Sequence, residues 1–273
     1  IRQGALGALE SVSTYTVWKR LDTYYERTYW AGKIAAGGQY VLDGSINNPL
    51  AHQLHNALYL AGAGPAWANP TAVQAELYRG HEVIESEDTA VSRVWTHEGV
   101  MVHFVGTLIG PDQRHTQFTV TGAEASLDFD LEGNILLKRP GKEPEPTFVD
   151  ADHGHMMVRV FENLADVLEG KQDRPRCTVA DTEPYVRAMN GTWLSAYPVE
   201  KIPDEFLDIH PETDPKDGRQ THATEWPEAF EKVEKAGRKC KLFSELDLPW
   251  AKARDRVDVV GLEAFSLPGV EAT

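Results

Sequence analysis

Polar and apolar positions alternate from Leu9 to Trp18. Leu9, Ser11, Ser13, Tyr15 and Val17 fall on one side and Val12, Thr14, Thr16 and Trp18 on the other. A period of two with many β-branched residues predicts a strand. A loop dense in aromatic and cationic side chains follows, and Gly37-Gly38 punctuates it. The period then changes. Leu50, Leu54, Ala57, Leu58 and Ala61 repeat at helical spacing, with Asn47 or Asn48 as cap, Pro49 in the first turn, and Gly62 and Gly64 to stop the helix. Short apolar or alternating runs return at 73–78, 89–96, 100–108, 116–121, 125–131 and 135–138, separated by turn residues such as Glu98-Gly99 and Glu132-Gly133-Asn134. Consecutive strands on short connections predict an antiparallel meander. Helical spacing covers 155–168 and 182–194, and the apolar stripes of both read as core.

Strands grouped apart from helices define an α+β fold: a large, mainly antiparallel sheet with helices on one face, the other face available for oligomerisation. From Tyr197 the composition shifts, and Pro, Asp and Glu become frequent between Pro198 and Pro227. A short helix over 226–236 and apolar residues near Phe243, Trp250 and 257–262 follow. Residues 1–197 are therefore read as one α+β domain and 198–273 as an extension packed on it.

The formal net charge of −15 disfavours nucleic acid and anionic lipid as partners. No apolar run reaches bilayer length. Cys177 and Cys240, far apart in sequence, make no disulfide framework, so a reducing, cytoplasmic setting is expected. Ile1 is not an initiator Met, and the chain reads as a piece of a longer protein. Gly4-Ala5-Leu6-Gly7 lacks the spacing of a dinucleotide-binding turn and precedes a strand. No Gly-x-Ser-x-Gly elbow occurs. His52 and His55 lack a third ligand at ligating spacing, so no metal is expected.

The densest chemistry lies between Gly37 and His52. Asp43 sits at the mouth of the helix, Asn47 can exchange hydrogen bonds with a hydroxyl or carbonyl, and His52 projects from the helix as a proton carrier. Arg20, Tyr25, Arg27, Trp30 and Lys33 on the preceding loop, with Asn48, suit a hydroxyl-rich or anionic ligand. The acidic stretch from Glu82 to Asp88 reads as a solvated turn, and Glu76 with Arg79 as an ion-paired strand end.

Taken in order, these segments resemble the C-terminal domain of the Gfo/Idh/MocA oxidoreductases. The resemblance rests on the first strand, the Tyr24-Tyr25-Glu26-Arg27-Thr28-Tyr29-Trp30-Ala31-Gly32-Lys33 loop, Gly37, Gly38 and Asp43, the helix, the meander, and the Phe161 to Gly170 and Cys177 to Met189 segments. The family's His falls on Asn47, which departs from the pattern. The resemblance implies a Rossmann domain elsewhere that binds NAD or NADP, and hydride transfer to or from a sugar, inositol or related polyol. Asp43, Asn47 and His52 would be the catalytic set here, with Arg20, Tyr25, Arg27, Trp30, Lys33 and Asn48 holding the carbohydrate. Because Asn47 cannot shuttle protons, the acid/base task passes to His52 or to a Lys outside this chain, unless the usual chemistry is lost. The fragment alone is expected to be inactive. The alternatives are an NAD-dependent glycosidase of the same superfamily and a non-catalytic oligomerisation or sugar-binding module.

Overall fold

A computed structural model describes residues 1–63, 66–150 and 153–271. Gly64, expected to end the first helix, lies outside the described residues. The chain opens with β1 (Leu9–Val17), a hairpin of β2 (Ala35–Ala36) and β3 (Gln39–Tyr40), and α1 (Ala51–Ala61). The meander follows as β4 (Pro70–Arg79), β5 (Thr89–Thr96), β6 (Met101–Thr107), β7 (Gln117–Gly122), β8 (Ser126–Asp130), β9 (Asn134–Lys138) and β10 (Glu145–Phe148). Then come α2 (Met156–Leu168), α3 (Glu183–Ala196), β11 (Glu200–Lys201), the hairpin of β12 (Asp208–Thr213) and β13 (Gln220–Glu225), α4 (Ala229–Lys239) and β14 (Val257–Asp258).

One sheet runs β10-β9-β8-β7-β1-β6-β5-β4-β11, with β14 paired to β4. Its centre is β1, inserted parallel to β6 and antiparallel to β7. This register sends Val12 of β1, Phe104 of β6 and Phe118 of β7 to one face, where Leu50, Leu54 and Leu58 of the α1 region and Trp193 of α3 close a core. Odd-numbered Tyr15, Val17 and Val105 point the other way. That second face is covered over β1, β6, β5 and β4 by the chain itself rather than left for a partner copy. Trp226, Phe243 and Trp250 form an edge-to-face and tilted aromatic cluster on it, with ring centroids 5.3–5.9 Å apart. The expectation of an uncovered oligomerisation face therefore fails there, because Trp226, Phe243 and Trp250 supply enough aromatic surface to bury it.

Two further expectations change. The apolar row of α2, including Met157, Phe161, Leu164 and Leu168, is exposed, and no residue of that helix is buried. Glu76 is fully buried and does not pair with Arg79. Its carboxylate accepts from the Tyr78 hydroxyl at 2.9 Å and the Ser244 N–H at 3.1 Å, which ties β4 to the segment around Phe243. Arg79 pairs with Glu82 instead.

Candidate functional site

Three segments are knitted together ahead of α1. Gly37 and Gly38, with φ of 59° and 75°, turn β2 into β3 and bring the chain back toward residue 43. The Asp43 N–H donates to the Lys33 carbonyl at 2.9 Å. The Glu85 and Ser86 N–H groups both donate to the Gly32 carbonyl, and the Ser45 N–H donates to the Glu87 carbonyl at 3.0 Å. Loop 20–33, turn 43–50 and loop 80–88 thus form one node.

Asp43 is its polar centre. It is 4% exposed and accepts three hydrogen bonds: from the Gly32 N–H at 2.8 Å, Arg27 Nη2 at 2.7 Å and Asn48 Nδ2 at 2.6 Å. A buried carboxylate so paired and bonded is held as an acceptor. It brings together two expected ligand residues, Arg27 and Asn48, both of which remain exposed. The Arg27 guanidinium also lies 4.1 Å from the Tyr24 ring centroid and 5.2 Å from that of Trp30. Lys33 reaches Glu85 at 2.7 Å.

The other expected residues diverge. Asn47 donates from Nδ2 to the Val41 carbonyl at 2.9 Å and accepts from the Tyr185 hydroxyl at 3.2 Å, so it shares no partner with Asp43. Neither Asn47 nor Asn48 caps α1, whose cap position is Leu50 with no side-chain cap. His52 is exposed on α1. His55, one turn along, packs 5.1 Å from Trp67 and 6.2 Å from Tyr185, and burial lowers its pKa. Arg20 stacks near Trp18 at 4.7 Å and Tyr24 at 5.3 Å and contacts Gln113. Tyr25 is buried against Tyr24 and His81 rather than presented to a ligand.

The acidic stretch holds what the sequence reading missed. Ser86, Glu87 and Asp88 are fully buried, not solvated. Glu87 Oε1 accepts from the Ile46 N–H at 3.0 Å, and Oε2 from the Ser86 hydroxyl at 2.8 Å. A distant carboxylate, not a local cap, therefore serves the turn that leads into α1. The signal available was position: Glu87 and Asp88 run without a Gly or Pro into the apolar strand β5.

Burial pushes the Glu87 carboxyl up to about 7, and its hydrogen bonds only partly oppose that. The native carboxyl therefore keeps its proton to higher pH than the unfolded one. Between the ordinary glutamate range and about pH 7 the folded state binds more protons, so this group's contribution to stability falls as pH rises. Urea titrations at about pH 5 and about pH 8 check this. The gap between wild type and Glu87→Gln is expected to move in the variant's favour at the higher pH. A gap independent of pH would count against it.

Asp208, His210 and Glu225 on the β12–β13 hairpin each offer one ligand atom within 4.8 Å of the others. The Lys19 ammonium already sits 2.7 Å from Glu225 and 2.6 Å from Glu212, so it competes with any metal cation there.

Comparison with known proteins gives the node a context. Residues 1–128 match the family described as the GFO/IDH/MocA C-terminal domain. Over that stretch the chain is similar to a Gfo/Idh/MocA C-terminal domain. Solved structures share the fold at low identity. The WlbA dehydrogenase from Bordetella pertussis, in complex with NADH and UDP-GlcNAcA, is 19% identical with a TM-score of 0.54, over 81% of this chain and 57% of that one. The aldose-aldose oxidoreductase from Caulobacter crescentus, complexed with glycerol, is 18% identical with a TM-score of 0.54, over 71% of this chain and 55% of that one. The UDP-N-acetylglucosamine 3-dehydrogenase GnnA from Acidithiobacillus ferrooxidans is 13% identical with a TM-score of 0.54, over 71% and 56%. The chain thus spans a little over half the length of each of these structures. Among curated proteins no sequence match is found. Among the described residues no helix is long and apolar enough to cross a membrane, and both cysteines are free.

Proposed function

We propose that this chain is the substrate-side half of an NAD(P)-dependent oxidoreductase that moves hydride to or from a sugar, inositol or related polyol. The observation that carries this reading is the Arg27–Asp43–Asn48 arrangement, in which one buried carboxylate fixes two exposed polar side chains beside aromatic rings. A fixed guanidinium and amide next to a ring suit the vicinal hydroxyls of a sugar. In this reading residues 1–197 are the substrate-side unit and 198–273 an extension, and the protein works in the cytoplasm.

The chain's own residues do not fit a dinucleotide. The described residues contain no strand, glycine turn and helix in sequence at a parallel crossover. The reading therefore assigns the nicotinamide nucleotide to another domain and confines this chain to binding and orienting the substrate and exchanging its proton. Asp43 is a positioning residue, since both its oxygens are already engaged. His52, exposed on the first turn of α1, is the side chain left to carry a proton.

Kinetics on the protein with its nucleotide-binding part, followed by nicotinamide absorbance, test the assignment. Arg27→Ala and Asn48→Ala are each expected to raise KM and lower kcat/KM about ten- to a hundredfold. His52→Ala is expected to lower kcat with KM little changed. If both ligand variants turn over every sugar and polyol at wild-type efficiency, the node is a scaffold and the enzymatic reading of it fails.

A further inference from the structure

A pocket of about 320 Å³ lies on the second face of the sheet, between β1, the 113–117 loop and α4. Val17, Phe230 and Val233 give it an apolar floor. Arg114 stands on its wall. The Arg114 guanidinium stacks on the Phe230 ring, 3.7 Å from the centroid, and among the described residues it has no ion pair. Stacking occupies the face of a guanidinium and leaves its edge N–H groups free. The other cationic wall residues are taken: Arg238 by Glu234 at 2.7 Å and Asp128 at 3.2 Å, and His115 by Glu132 at 3.1 Å. Tyr15, also on the wall, is 6% exposed, and among the described residues its hydroxyl makes no hydrogen bond. That oxygen is not sealed in, unlike the buried hydroxyl of Tyr25. Burial pushes the Tyr15 phenol up to about 12, so it stays a donor at neutral pH. The wall is also held in place. The Arg114 N–H donates to the Val17 carbonyl at 2.8 Å, and the Thr116 hydroxyl oxygen accepts from the Thr16 hydroxyl at 2.9 Å and Gln53 Nε2 at 3.1 Å.

We infer that this pocket binds a small carboxylate carried on an apolar body. The free edge of the Arg114 guanidinium matches the two oxygens of a carboxylate, and the Tyr15 hydroxyl supplies a further donor. Buried polar groups are normally satisfied, so a half-sealed hydroxyl beside an unpaired cation points to an acceptor that completes both. The apolar floor selects the rest of the ligand. A fully hydrated anion such as phosphate would lose water against Val17 and Val233 without gaining a partner there. The volume is at the small end for ligand pockets and suits a body of about ten non-hydrogen atoms. A wall fixed before binding lowers the ordering cost. The site is independent of the oxidoreductase reading, because α1 packs on the opposite face of the sheet.

Titration of the chain with phenylacetate, followed by the amide NMR shifts of residues 113–117 and of α4, tests it. Saturable binding with a Kd of about 1 mM or tighter is expected. Phenylacetamide keeps the body without the charge, and acetate keeps the charge without the body. Each is expected to bind at least about tenfold more weakly. Arg114→Ala should weaken phenylacetate about tenfold, and Arg114→Lys should recover only part of that, because an ammonium lacks the planar fork. Tyr15→Phe should weaken it about three- to tenfold. Arg219→Ala, on an exposed ion pair with Glu26, should change nothing. Thermal midpoints of the Arg114 and Tyr15 variants should match wild type, which separates lost binding from lost folding. The inference is overturned if phenylacetate shows no saturable binding, if acetate or phenylacetamide binds as tightly, or if either Arg114→Ala or Tyr15→Phe leaves affinity unchanged.

Discussion

Replacing His81 by alanine is expected to destabilise the fold by about 3 kcal/mol or more, read as a drop in urea midpoint at unchanged m value. His81 and Asp88 are both fully buried, and Nδ1 lies 2.9 Å from Asp88 Oδ2. That oxygen also accepts from the Gly80 and His81 N–H groups, each at 2.9 Å, while Thr89 serves Oδ1. The other ring nitrogen lies 3.0 Å from the Arg20 carbonyl, so the imidazole bridges loop 80–88 to loop 20–33. Removing it leaves a buried carboxylate short of its strongest partner and opens a gap under the Tyr25 ring, 5.0 Å away. The expected result includes a rescue: His81→Ala combined with Asp88→Asn should lose less than the two single losses added together, because the stranded charge goes with its partner. A single-variant loss below about 1 kcal/mol would show that the pair is not what holds the loops together.

His81 also shows why part of the site was legible and part was not. The strands and helices were readable because their burial follows a fixed period. The stripe Leu50, Leu54, Ala57, Leu58 and Ala61 predicted from spacing is the face that α1 and its first turn bury. The missed β12–β13 hairpin carries little apolar surface and, apart from a single bridge from Ala223 to Leu21, pairs with itself, so it left no such trace. Periodicity reports a face, not what covers it, which is why α2 has the pattern of a core helix yet buries none of it. The same limit hid the second face of the sheet, where the cover comes from Trp226 and Trp250, far along the chain. At the node, Asp43 and Arg27 were identifiable because each lies in a locally dense segment, Asp43 at the mouth of the helix after Gly37-Gly38 and Arg27 on the aromatic and cationic loop. Glu87, Asp88 and His81 were not, because their partners Ile46 and Arg20 are brought to them by tertiary folding. The four charged residues between 82 and 88 have the composition of a surface turn, and in the fold Glu87 enters the interior against the glycine at position 44.

That glycine carries the second large effect. A Cβ placed on Gly44 would fall 1.7 Å from Glu87 Oε2, inside any tolerable contact, so Gly44→Ala must displace either the turn or the carboxylate. Displacing Glu87 breaks its bond to the Ile46 N–H and moves a fully buried acid off its partners. Overpacking and an unsatisfied buried group together are expected to cost about 3 kcal/mol in urea unfolding. The consequence reaches the site, because Asp43, next to Gly44, holds both Arg27 and Asn48. Gly44→Ala should therefore lose substrate affinity beyond what the loss of stability explains, measured at temperatures where the variant is fully folded. A double-mutant cycle with Glu87→Ala tests whether this contact is the cause. If the clash is the cause, shortening Glu87 makes room for the methyl and the double variant is less unstable than the sum of the singles. Strict additivity would place the cost of Gly44→Ala outside this contact, and would remove Glu87 from the account of how the turn is held.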